Sequence, residues 1–154
     1  MLSVTRSNLE EIVKRALERM TFTFVETGGV RLADAIARAC AHATIELRGP
    51  RSYLCSVSAS VGMVQEVASG MLGCDADEVD AAKHGEAVVA ELANVFGGEL
   101  VIQMSTERDG LRIGLPQPAQ VEQAAELGAR AERDGVGAVF VLEIGELAVS
   151  LSRA

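Results

Sequence analysis

The chain has 154 residues, 49% of them hydrophobic and 23% charged, with a net charge of −8. Length and composition fit one folded domain over residues 1–154 and exclude a disordered tail. The acidic balance counts against gripping a nucleic acid or an anionic membrane surface, since both require a basic patch.

The first element is an amphipathic helix. Ser7 and Glu10 have capping-box spacing, and Leu9, Ile12, Val13, Ala16, Leu17 and Met20 recur at helical period. Glu10–Lys14 and Glu11–Arg15 are i,i+4 pairs on its wet side. Thr21 to Val25 bring in β-favouring residues, and Gly28-Gly29 breaks the chain. Residues 30–43 are alanine-rich without a clear stop signal. A hairpin follows: 44–48 alternate at period two, 49–51 turn, and 52–58 are β-rich again. Residues 60–72 read as a second helix with Gly73 as its C-cap. The acidic connection Asp75, Asp77, Glu78 and Asp80 lacks the ligand order of a calcium loop and suits a helix N-terminus instead. A long helix then runs from about residue 79 to at least Phe96, and 99–104 either continue it or begin a strand. Leu111 to Leu115 read as a strand that stops at Pro116. Residues 119–133 have helical composition despite Gly128. Asp109-Gly110 and Asp134-Gly135 read as turns. A hairpin closes the chain, with Ala138 to Ile144, a turn at Gly145, and Leu147, Val149 and Leu151 alternating.

Most chemical motifs are missing. Cys40, Cys55 and Cys74 are widely spaced, and two histidines complete no familiar zinc set. The thiols read as buried or half-buried residues of a reducing compartment. His42 and His84 belong to no recognisable triad and read as structural. Neither glycine pair carries a phosphate-loop pattern. The N-terminus through Arg6 does not read as a signal peptide, and no apolar run approaches the ~20 residues of a membrane span. A soluble, cytoplasmic protein is expected.

The long helix carries the functional argument. At about 100° per residue, Val88, Leu92 and Val95 share a stripe, with Val89 and Phe96 on its shoulder. The opposite face holds Lys83, Ala87, Ala90, Glu91, Asn94 and Gly98. Glu91 and Asn94, at i and i+3, are neighbours about 60° apart around the axis. Small residues surround them, so a carboxylate and a carboxamide stand together on a low-relief surface. Asparagine is a poor choice inside a helix, because its side chain competes for backbone hydrogen bonds.

Glu91-Leu92-Ala93-Asn94, with 21 residues between Asn94 and Pro116, resembles the active-site motif of the CheC/CheX/FliY family of chemotaxis phosphatases. The order of elements resembles CheX-like members: a leading helix, a hairpin, a helix ending Met71-Leu72-Gly73, the motif helix and a C-terminal hairpin. A single Glu-x-x-Asn is also CheX-like, since CheC-like members carry two. The resemblance implies an α+β, CheC-like fold, with long helices packed on a mixed or antiparallel sheet. It implies a phosphatase acting on the phosphoaspartate of a CheY-like response regulator. Glu91 and Asn94 would be the catalytic pair, and Ala87, Ala90, Gly98 and Pro116 would face the partner. The chain would bind no cofactor itself, Mg²⁺ being held by the partner's receiver domain. Homodimerisation is a further implication, and the β-rich C-terminal hairpin offers a pairing edge. Ala87 stands where the family usually has an acidic residue or serine, and Glu86 points about 100° elsewhere. That departure supports a second reading: a catalytically weak or inactive dimeric module that docks a receiver domain or another signalling protein.

Overall fold

The computed structural model describes residues 4–105 and 110–154. Met1 to Ser3, and Asp109 of the expected turn with Gly110, lie outside them. The elements are α1 (Arg6–Thr21), β1 (Glu26–Thr27), α2 (Leu32–Arg38), β2 (Ala41–Arg48), β3 (Tyr53–Ala59), α3 (Val61–Leu72), α4 (Ala81–Met104), β4 (Arg112–Ile113), β5 (Gln117–Pro118), α5 (Val121–Asp134), β6 (Val136–Leu142) and β7 (Gly145–Arg153).

Helix α1 begins earlier than its expected cap. Thr5 is the N-cap: Asn8 N–H donates to Thr5 Oγ1 and Thr5 N–H to Asn8 Oδ1, each at 3.1 Å. A Thr–Asn exchange therefore replaces the expected Ser7–Glu10 box, and Glu10 pairs back to Arg6 at 3.3 Å instead of forward to Lys14. Glu11 and Arg15 pair as expected, at 3.9 Å. The β-favouring run 21–25 forms no strand: Thr21 ends α1, and a two-residue strand, β1, follows at Glu26–Thr27. Phe22 caps the helix in the left-handed region (φ 54°), which turns the chain before a strand can start. The alanine-rich stretch resolves into α2 followed directly by β2.

One sheet organises the molecule. Its strand order is β1-β6-β7-β3-β2-β4, with β5 also on β2, and every pairing is antiparallel. The C-terminal strand β7 is bonded on both sides, to β3 and to β6, so it is interior and offers no pairing edge. The last hairpin turns on Glu143-Ile144, and Gly145 already pairs with Leu142. Gly62 and Gly145 are packed backbone to backbone there, closing the start of α3 onto the turn.

Strand alternation gives the sheet two different faces. One face presents Ile45, Leu47, Cys55, Val57, Phe140 and Leu151 to α1, α3 and α4, forming the main core. Phe96 of α4 and Phe140 are fully buried in it, each contributing about 2 kcal/mol of apolar burial. The other face presents small and polar side chains: His42, Thr44, Ser56, Ser58, Ser150 and Ser152, all buried. Helices α2 and α5 cover it through a smaller cluster of Leu32, Ala35, Ile36, Ala124, Val139 and Ala148. Gly128 fits here because a Cβ would come within 2.6 Å of Ile36 Cδ1. Arg38 ties α2 to β7 by a two-pronged bond to Glu146, at 2.9 and 2.8 Å.

Two predictions follow from this packing. Gly62→Ala places a Cβ 1.8 Å from the Ile144 carbonyl oxygen, which is backbone and cannot swing aside. It should destabilise by about 3 kcal/mol or prevent folding. Gly98→Ala meets nothing within 4 Å and should stabilise α4 by about 1 kcal/mol through helix propensity. Urea unfolding of the two variants checks both signs.

A third prediction concerns His42, only 9% exposed, whose Nδ1 lies 2.7 Å from Ser58 Oγ. Burial lowers its pKa below 6.5, with Glu122 partly opposing. A depressed histidine pKa means the unfolded chain binds the proton first. Stability is therefore full above the unfolded value near 6.5 and falls as pH drops toward the lower folded value. Tm should be flat from pH 8 to about 6.5 and decline below it. His42→Gln should remove that part of the decline, while a wild-type Tm that is flat to pH 5 would refute it.

Candidate functional site

Asp80 starts α4 by accepting from Ala82 N–H at 3.0 Å, which is the role expected of the acidic connection. Asp77 and Glu78 are exposed in a one-turn 3-10 helix just before it, with Asp75 exposed at its N-cap. Helix α4 then runs 24 residues without interruption, through Gly97-Gly98 to Met104. Residues 99–104 thus continue the helix. Length and composition alone would let α4 cross a membrane, contrary to the absence of any span-length apolar run expected above. Its packing is that of a core helix, with nine residues buried from Gly85 to Met104.

Two glycines seat the helix on β2. A Cβ at Gly85 would lie 3.1 Å from Ala41 Cβ, and one at Gly97 would lie 3.1 Å from Ile45 Cγ2 and 3.2 Å from Ile113 Cδ1. Gly97 therefore faces the sheet. Gly98, about 100° further round, faces outward with open space beyond it. The glycine pair serves two faces and does not end the helix. Arg19 of α1 reaches Glu99 at 3.1 Å and ties down the C-terminal half.

The buried arc contains Val88, Val89, Leu92 and Phe96 as expected, and extends to Ala93 and Leu100, while Val95 is only half-buried. On the outer face Ala87, Glu91 and Asn94 are exposed, and Ala90 and Gly98 are half-buried. Among the described residues neither Glu91 nor Asn94 makes a hydrogen bond or an ion pair. Both side chains are thus available on a rigid helix.

Pro116 sits on the sheet edge beside this helix. Three residues lie between Ile113 and Gln117, but only two lie between their partners Leu47 and Thr44. The extra residue makes a bulge of Gly114, Leu115 and Pro116. Gly114 N–H still donates to the Glu46 carbonyl at 2.7 Å. Pro116, with no N–H, falls where the ladder needs none. The expected strand at 111–115 is thereby shortened to β4, and β5 follows beyond Pro116, both lying against α4.

Two exposed apolar residues on this side escaped the sequence reading. Ile102 is 74% exposed. It lies 11 residues after Glu91, about 20° from it around the axis and about 16 Å along it. Continuing the helical wheel through the glycine pair would have found it. Leu115, 77% exposed on the bulge, had no such signal, because its exposure depends on the register slip.

The remaining candidates stay apart from this face. All three cysteines are free; Cys55 is buried, with its thiol pushed up to about 12 by burial, Cys74 is half-buried, and Cys40 is exposed, against expectation. His42 lies on the polar face under α5, and His84 on the first turn of α4 is half-buried.

No family model matches the sequence, and no curated relative does. Solved structures do match. A chemotaxis protein CheX from Vibrio vulnificus superposes with a TM-score of 0.66 at 14% identity, over 95% of this chain and 96% of that one. A CheX from Desulfovibrio desulfuricans gives 0.63 at 14%, over 95% and 96%. The CheX of a CheX–CheY–BeF3–Mg²⁺ complex from Borrelia burgdorferi gives 0.57 at 13%, over 97% and 99%. The α+β, antiparallel fold of this chain is that of the CheX and CheC-like chemotaxis proteins.

Proposed function

We propose that this protein is a CheX-like phosphatase, which hydrolyses the phosphoaspartate of a CheY-like response regulator in a chemotaxis or other two-component circuit. The observation that carries the reading is the exposed Glu91–Asn94 pair, without partners among the described residues, on a helix seated rigidly over β2, in a fold shared with a CheX solved together with CheY.

An acyl phosphate is already reactive, and a receiver domain supplies Mg²⁺ and a lysine of its own. The missing part is a water held in line with the departing phosphoryl group. Asn94 Oδ1 accepts a hydrogen bond from that water and fixes its direction, as a glutamine does in GTPases. The gain is positional and needs no titratable base. Glu91 pairs with the receiver lysine and sets the docking register. Ala87, Ala90 and Gly98 keep the surface low enough for the helix to enter the receiver's site. Ile102, and Leu115 beside Pro116, give the partner apolar surface at the margins of that contact. The protein works in the cytoplasm, where its regulator is. A homodimer belongs to the same reading, with the outer edge of β6 at Val136–Ala138 as its pairing edge, because β1 and Gly28 reach only Val139 to Val141.

Ala87, exposed four residues before Glu91, favours the second reading of a docking module without turnover. Phosphate release from phosphorylated receiver domains of the same organism separates the two. Wild type should accelerate release, and Asn94→Ala should lower the rate about 100-fold while still binding the beryllofluoride-activated receiver. Glu91→Ala should weaken binding, and Ile102→Asp should raise KM with little change in kcat. Binding without acceleration by wild type would establish the docking module. Acceleration that survives Asn94→Ala would remove Asn94 from the mechanism.

A further inference from the structure

The segment that leaves α1 carries its apolar side outward. Residues 21–26 alternate: Thr21, Thr23 and Val25 are buried, and Phe22, Phe24 and Glu26 are exposed. The inward hydroxyls find partners inside the chain, since Thr21 Oγ1 donates to the Leu17 carbonyl at 3.1 Å and lies 2.7 Å from Thr23 Oγ1. Phe22 is 80% exposed and Phe24 68%, whereas the other two phenylalanines, Phe96 and Phe140, are fully buried. Phe22 also occupies the left-handed cap of α1, at φ 54°. Glycine or asparagine suits such a position, and a bulky side chain there is strained. Neither the cap nor the core of this chain requires a ring at Phe22.

The two rings are not isolated. Gly70 of α3 packs on Thr21, whose backbone a Cβ at Gly70 would strike, so the end of α1 and the last turn of α3 meet. Gly70 is itself exposed. Leu72, 59% exposed, stands about 160° around α3 from it, with half-buried Ser69 between. The surface is a shallow saddle, with phenylalanines on one side, Leu72 on the other and small residues low between them. Grouped apolar exposure of this kind marks an interaction site. Acids flank both sides. Glu18 and Glu26 border the phenylalanines in the chain, and Asp75, Asp77 and Glu78 follow Leu72, all of them exposed. None of the five has an ion-pair partner among the described residues.

We propose that this surface docks a basic amphipathic helix of another protein. Apolar side chains of that helix lie on Phe22, Phe24 and Leu72, and its lysines or arginines meet the acids on either side. The same acids repel an anionic membrane surface. A second copy of this chain fits poorly, because a two-fold contact is self-complementary and would set one acidic rim against the other. The surface includes neither Glu91 nor Asn94, and its test requires no receiver domain.

The test is calorimetric titration of the full chain with a synthetic helix that carries leucine on one face and lysine on the other. Two control peptides each keep half of that pattern, one with serine in place of leucine and one with glutamate in place of lysine. Saturable one-to-one binding of the leucine–lysine helix is expected, with each control at least about tenfold weaker. The double variant F22G/F24S should bind the leucine–lysine helix at least about tenfold more weakly. Phe22→Gly alone should melt at or above the wild-type temperature, because it relieves the left-handed cap and removes no buried contact. Lost binding is thereby separated from unfolding. No saturable binding, a control peptide as tight as the leucine–lysine helix, wild-type affinity in F22G/F24S, or a lowered melting temperature in Phe22→Gly would each overturn the proposal. So would co-sedimentation of the wild type with phosphatidylserine vesicles, which assigns the surface to lipid, or self-association that F22G/F24S abolishes, which assigns it to a second copy.

Discussion

The seating of α4 on β2 is the contact on which the rest depends. Gly85 and Gly97 bring the helix backbone closer to the sheet than side chains would allow. Close approach buries Val88, Leu92, Phe96 and Leu100 at near-crystalline density and fixes the rotation of the helix about its axis. That rotation decides which residues face outward. A few tens of degrees would tilt Asn94 toward the sheet edge or Glu91 toward α3. The Arg19–Glu99 bond and the edge segment at 112–118 hold the same orientation from either side. The outer face therefore presents a carboxylate and a carboxamide in fixed relation without a loop to order.

The two faces of the sheet solve different problems. The α4 side is apolar and carries most of the hydrophobic stabilisation. The α5 side is lined with small hydroxyl-bearing residues and His42. Small residues let α5 cross closely, with Gly128 against Ile36 at the crossing with α2. Buried hydroxyls then need partners. His42 and Ser58 supply one another, whereas Ser56 and Ser152 are left without. Acid sensitivity through His42 and the unpaired hydroxyls of Ser56 and Ser152 both arise from that choice of small polar residues over apolar ones.

Local signals were the legible ones. The helical period of α1, the β2–β3 hairpin, the Gly73 C-cap of α3 and the Asp80 cap of α4 depend on residues within a turn of one another. The neighbour relation of Glu91 and Asn94 is of the same kind, since i and i+3 adjacency follows from helix geometry alone. The cap of α1 was misplaced by two residues because Thr5–Asn8 and Ser7–Glu10 are both reasonable pairings and only one fits where the chain enters the core. The run 21–25 shows the reverse error: its residues favour strand, but the left-handed turn at Phe22 leaves them as a connection to β1.

By itself, then, the sequence determined the identity and order of the long helices, the apolar stripe of α4 and the Glu91–Asn94 pair opposite it. Tertiary structure alone decided that α4 continues through Gly97-Gly98, because the pressure to keep a glycine comes from Ile45 and Ile113, distant in the chain. It also decided that β7 lies inside the sheet and that Pro116 sits in a bulge exposing Leu115. Each of these is a question of which strand pairs with which, and in what register. Ladder pairing is non-local and its side-chain period is two, so one residue of slip reverses every face, and no window along the chain contains that choice.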